Sequence, residues 1–134
     1  MVGSVARSVY LVAAVLLVVG ACGQVFLAGL GVFAGQANFT THRDFGFMLE
    51  LLPVVMVVAA LVGRMGRTFI GGAALLIVLF GLQSVFIAVR TSQPGVAALH
   101  PLNGFLILLV AIYLSVASWR TRTARSDRTA SKGG

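Results

Sequence analysis

The sequence predicts an all-α integral membrane protein: a bundle of four transmembrane helices, built as a duplicated helical hairpin with a pseudo-twofold axis along the membrane normal. Three observations predict it. Of 134 residues 59% are hydrophobic and 10% charged, with mean hydropathy +1.03, whereas a soluble domain carries about 45–50% apolar and about 25% charged residues. The apolar residues fall into four blocks, each near the ~20 residues that a membrane helix needs. The first pair of blocks also resembles the second pair at its polar positions.

Span one is predicted over 9–33, because between Arg7 and His42 only Tyr10 and Cys22 are ionisable. A polar connection, Ala34 to Thr40, leads to span two over 41–62, whose start has the form of a capping box, Thr41-x-x-Asp44. Glu50 is its only interior charge, and Pro53 is expected to kink it. Arg64 and Arg67 bracket a tight turn into span three, 68–89, which Arg90 closes. Thr91 to Gly95 is turn chemistry. Span four covers 97–119, with Pro101 suited to its first turn and Trp119 to the water interface. Residues 120–134 are basic and too poor in apolar side chains to fold alone, which predicts a disordered cytoplasmic tail lying against anionic lipid.

The net charge of +7 does not point to nucleic acid, since the basic residues sit between and after apolar blocks and do not interleave with aromatics. They read as topology signals. With the N-terminus in the cytoplasm, that side holds Arg7, Arg64, Arg67, Arg120, Arg122, Arg125, Arg128 and Lys132, and the other side holds only Arg43 and Arg90. The positive-inside rule then puts both termini of a multi-pass bacterial cell-membrane protein in the cytoplasm. A single cysteine excludes an intrachain disulfide and a cysteine-based metal site. Val19-Gly20-Ala21-Cys22 has the look of a lipobox, but Gly23 to Ala28 continue the span where a lipoprotein needs a polar tether. Cys22 is expected to be a small buried packing residue.

His42-Arg43-Asp44-Phe45-Gly46-Phe47 and His100-Pro101-Leu102-Asn103-Gly104-Phe105 both read H-x-x-x-G-F at the head of a leucine-rich span. Gln24 to Ala28 in span one parallels Gln83 to Ala88 in span three. Two hairpins in series cross the membrane in the same sense, so both histidines fall on the extracytoplasmic side, facing each other from spans two and four.

A b-type haem held by two imidazoles needs that arrangement. On a helix, positions i and i+4 share a face, so Gly46 and Gly104 are expected to leave bare backbone beneath His42 and His100 for a porphyrin edge. Arg43 and Arg90 are the cations available to its propionates. Gln24 and Gln83 lie deeper, where an unpaired amide costs several kcal/mol, and they are open to bonding a cofactor, a quinone headgroup or each other. The glycines equally serve close helix approach, and both histidines equally serve as interfacial residues. Glu50 lies about two turns into span two, roughly 80° round the helix from His42, a candidate proton or ligand site that does not share the iron. No catalytic residue is assigned.

The whole chain resembles an uncharacterised family of small four-helix integral membrane proteins from high-GC Gram-positive bacteria, on the run Gln24 to Gly31, His42-Arg43-x-x-Gly46 and His100-Pro101-x-Asn103-Gly104. That resemblance implies topology and no chemistry. More loosely, a duplicated hairpin with one His at the head of each second helix is similar to membrane b-type cytochromes and to one half of haem A synthase. This implies one haem b between His42 and His100, with electrons passing to or from a quinone or a redox membrane partner. The competing expectations are an accessory membrane protein without a cofactor and a small proton-coupled transporter using Glu50. The orientation is checked by reporter fusions after Gly134 and within Ala34 to Thr40, which are expected to report opposite sides; a tail found outside inverts the placement of both histidines.

Overall fold

The computed structural model describes the backbone of residues 1–130 and the side chains of residues 1–124. All of its elements are helices: α1 Val2–Phe33, α2 Asn38–Leu49, α3 Leu51–Val62, α4 Arg67–Ala88, α5 Pro94–Ala97 and α6 Leu99–Ala130. They make four helices long and apolar enough to cross a membrane, α2 and α3 together forming the second. The four blocks legible in the sequence are therefore four spans, with shifted ends. At about 1.5 Å per residue, α1 with its 32 residues outreaches a hydrocarbon layer of about 30 Å, so it starts well before Val9. The second span begins at Asn38, which leaves Thr41 and Asp44 inside α2 rather than capping it. Instead, Asn38 ties two ends together: its Nδ2 donates to the Gly35 carbonyl at 3.1 Å and to Leu30 O at 3.4 Å. Gly35 turns the chain there with φ of 121°, a conformation open to glycine and costly for most other residues. α6 continues past Trp119 to Ala130, so residues 120–130 carry helical backbone where composition predicted disorder; the rest of the predicted tail, 131–134, lies outside the described residues.

Each helix packs on two neighbours in a ring: α1 on α2/α3 and α6, and α4 on α3 and α6. α1 and α4 are diagonal, as are α2/α3 and α6. Lipid tails are as apolar as leucine, so close packing holds such helices together, and small residues permit it. Ala13, Ala14, Ala59, Ala60, Ala73 and Ala111 are buried at the contacts, around Leu17, Met56, Leu76 and Leu114. The inward faces of the two second helices follow the same spacing, Leu49, Pro53, Met56, Ala60 on α2/α3 and Ile107, Ala111, Leu114, Ser118 on α6.

The loop between α3 and α4 closes this end with hydrogen bonds that lipid could not supply. Arg64 takes a left-handed conformation with φ of 47°, its N–H donates to Leu61 O at 3.1 Å, and Met65 N–H reaches Ala60 O at 2.9 Å. This is a Schellman stop, and it satisfies carbonyls left over at the end of α3. Arg7 on α1 adds a bond from Nε to the Gly63 carbonyl at 3.2 Å. Tyr10, fully buried, crosses the α1/α4 diagonal: its hydroxyl donates to Phe69 O at 3.0 Å, and its ring meets Phe69 edge-on at 5.5 Å.

The other end is looser. Beyond Gly20 on α1 only Gly31 is buried; α2 buries only Leu49, α4 nothing after Phe80, and α6 nothing before Asn103. α3 packs on α4, whereas α2 does not approach it. The divergence begins at Glu50, where α2 ends and α3 starts. Pro53 has no N–H to give the Leu49 carbonyl, so the helix loses a bond at this point. Cys22 faces outward on this stretch and is exposed rather than packed in the core. The packing account is checked by overfilling. A Cβ built on Gly72 lies 2.6 Å from the Leu114 side chain, whereas Gly71 has open space around it. Gly72→Leu is expected to lower unfolding stability by about 1–3 kcal/mol and Gly71→Leu to leave it nearly unchanged; equal effects would contradict the helix phase.

Candidate functional site

The looser end holds the polar residues picked out by sequence, and the fold brings four of them into two matching sets. In the first hairpin His42 on α2 faces α1, and its Nδ1 lies 3.1 Å from the backbone carbonyl of Gln24. In the second, His100 on α6 faces α4, with Nδ1 3.4 Å from the carbonyl of Gln83. A carbonyl can only accept, so each ring carries its proton on Nδ1, and neither Nε2 bonds to a described residue. That is the tautomer in which a histidine can offer Nε2 to a metal, since the outer partner fixes ring and proton together.

Across the α2/α6 diagonal the two imidazole centroids are 6.2 Å apart, with ring planes at 65°. No Cα of α2 comes within 8 Å of α6, so the rings are what bridge this diagonal. Phe39, one turn before His42, sets its ring edge-on to that imidazole at 6.3 Å and lies against Gly31, where a Cβ would come 2.7 Å from the Phe39 ring.

Gly46 and Gly104 do not present bare backbone. A Cβ built on Gly46 would lie 2.7 Å from Gln24 Nε2, and one on Gly104 would lie 3.3 Å from Gln83 Nε2. Each glycine one turn beyond a histidine is thus the seat of the glutamine whose carbonyl holds that histidine. This corrects the expectation of a porphyrin edge on the glycines. The two amides also do not bond each other: Oε1 of Gln24 and Oε1 of Gln83 are both buried without a partner.

Other expectations come apart here. Arg43 pairs with its exposed neighbour Asp44 at 2.9 Å, and Arg90 donates to Ile87 O at 3.1 Å at the end of its own helix; neither bonds toward the histidines. Glu50 is half-buried beside the α2/α3 break and has no ion pair or side-chain hydrogen bond among the described residues. Asn103 was legible only as a landmark, yet it is one of the few buried polar side chains at 5% exposure. Its Nδ2 donates to Leu79 O at 2.7 Å, one helical turn from the Gln83 carbonyl that holds His100. Among the described residues no group of three or more His, Cys, Asp or Glu gathers to hold a metal ion. The ligand chemistry at this end is therefore two imidazoles with amides beneath them.

The model of a family of unknown function, DUF6220, matches residues 24–91, which is just over half of the chain, and the chain belongs to that family. The matched stretch opens on Gln24, includes His42, Gly46, Glu50 and Gln83, and ends before His100. No curated protein matches the chain, and no solved structure does. The seating of glutamine on glycine is checked by substitution: both changes gain the same helix propensity, so Gly46→Ala, with the shorter approach, is expected to be the less stable of Gly46→Ala and Gly104→Ala, as read from detergent unfolding curves. The reverse order would contradict the contact.

Proposed function

We propose that this member of the family is an electron-transfer protein that binds one haem b between His42 and His100, near the extracytoplasmic face. The observation that carries the reading is the imidazole pair: centroids 6.2 Å apart, on helices of different hairpins, with each Nδ1 held by a backbone carbonyl. Two imidazoles that held one iron through Nε2 at about 2 Å each would have their centroids up to roughly 6 Å apart. The haem would supply one-electron chemistry that no side chain here supplies. This chain's own residues hold the imidazoles, fix their tautomer and keep the two hairpins apart at one end. The glycines do not enter the argument, because the glutamine amides occupy them.

In this reading the two hairpins are copies of one unit related by an axis along the membrane normal, and each copy gives one ligand. Matching His–Gln–Gly sets and the matching inward spacing of α2/α3 and α6 support that duplication. A quinone or a redox membrane protein is the partner, and Arg43 and Arg90 are the cations that propionates would use. A second reading is favoured by one observation, the filled glycine seats: an accessory membrane protein whose histidines and glutamines serve only to bond the helices together. Glu50, without a partner among the described residues, is the residue a proton-coupled role would use.

The readings part on one experiment. Protein purified in detergent is expected to show a reduced-minus-oxidised spectrum of low-spin haem b, which His42→Ala and His100→Ala each abolish. A six-coordinate spectrum retained in either variant, or protein free of haem after supplementation, would overturn the haem reading and leave the accessory one.

A further inference from the structure

Beneath the histidines the bundle carries acceptors that the protein leaves unbonded. Gln24 Oε1 and Gln83 Oε1 are buried with no donor. Lipid donates no hydrogen bonds, so such oxygens are costly unless something brings hydrogens to them. The two glutamines stand on α1 and α4, helices diagonal in the ring and with no close backbone approach. A single occupant reaching both needs donors at its opposite ends.

The break in the second span opens one side of this end. Below Glu50, α3 packs on α4; above it, α2 packs on α1 and leaves α4 uncovered on that side. The gap faces the bilayer, and exposed Phe47, Met48, Leu82 and Val85 on these two helices are apolar. An occupant arriving this way must be soluble in lipid and carry its polar groups at the head.

We propose that Gln24 and Gln83 bind the head of a lipid-soluble hydroquinone, which enters between α2 and α4. A ring with hydroxyls at opposite positions has two donors pointing apart, matched to two amide oxygens on opposite helices. Its oxidised form presents carbonyls, which these oxygens bond only if the amides turn over to offer Nε2. This site stands on the glutamine oxygens and the gap, and it does not require iron between the histidines.

The test is equilibrium binding of radiolabelled duroquinol, under oxygen-free conditions, to the full chain in nanodiscs, with empty nanodiscs as the partition background. Saturable binding of one duroquinol per chain is expected, weaker by about tenfold for the monomethyl ether, which keeps one donor, and absent for the dimethyl ether. Gln24→Leu and Gln83→Leu are each expected to weaken binding about tenfold, and the double variant to abolish it. Protein prepared with and without added haem is expected to bind duroquinol equally, which separates this site from any iron. The proposal is overturned if duroquinol shows no saturable binding, if the dimethyl ether binds as well as the diol, if the double glutamine variant still binds, or if binding requires added haem. Because the ether series uses unaltered protein, it holds even where a variant fails to fold.

Discussion

A polar atom inside a bilayer has only the protein to bond to, and the positions at which this chain answers that constraint decide its shape. At one end most such groups are answered by another helix or a loop, Ser118 Oγ being a buried exception. Arg7 bonds Gly63, Tyr10 bonds Phe69, and the α3 carbonyls fold back onto Arg64 and Met65. At the other end the histidines are answered by Gln24 and Gln83 carbonyls, but the amide oxygens of the same glutamines are not. One end is tight and bonded between helices, the other open with two amide oxygens unbonded.

The openness has a local cause. A helix that kept its register through Glu50 would carry α2 along α4 as α3 is carried. Pro53 removes the bond that would hold that register, and α2 is left attached to α1 through Leu49 against Gly20, Phe39 against Gly31 and His42 against Gln24. The imidazole of His42 then meets that of His100 across the bundle. Small residues pull the backbones together at the closed end, and the paired imidazoles span the interval where no backbone approaches at the open one.

Four spans were legible because uninterrupted apolar blocks of membrane length have no other stable setting. Their ends were not, since a helix extends into headgroups with no compositional signal, as α1 does through Val2 to Ser8. The facing histidines and their glutamines were legible from the repeated Gln and His-x-x-x-Gly-Phe sets. What covered Gly46 and Gly104 was not: whether a glycine is bare or occupied depends on the rotation of a neighbouring helix. Cys22 failed for the same reason. A helix apolar on all sides carries no phase in its sequence, and the burial of Leu17 and Gly20 turns Cys22 to the outside. Asn103 was visible as a motif residue, but its bond to Leu79 belongs to tertiary packing.

The proposal with the most at stake is that His42 and His100, on different hairpins, would hold one haem. Electron paramagnetic resonance of the oxidised protein at liquid-helium temperature tests it most directly, because the ligand planes shape the signal. If His42 and His100 hold one haem with their rings 65° apart as here, the oxidised protein would give a low-spin ferric signal of strongly anisotropic type, dominated by one large g value. A high-spin signal, or no ferric haem signal in protein expressed with haem supplied, would contradict the claim.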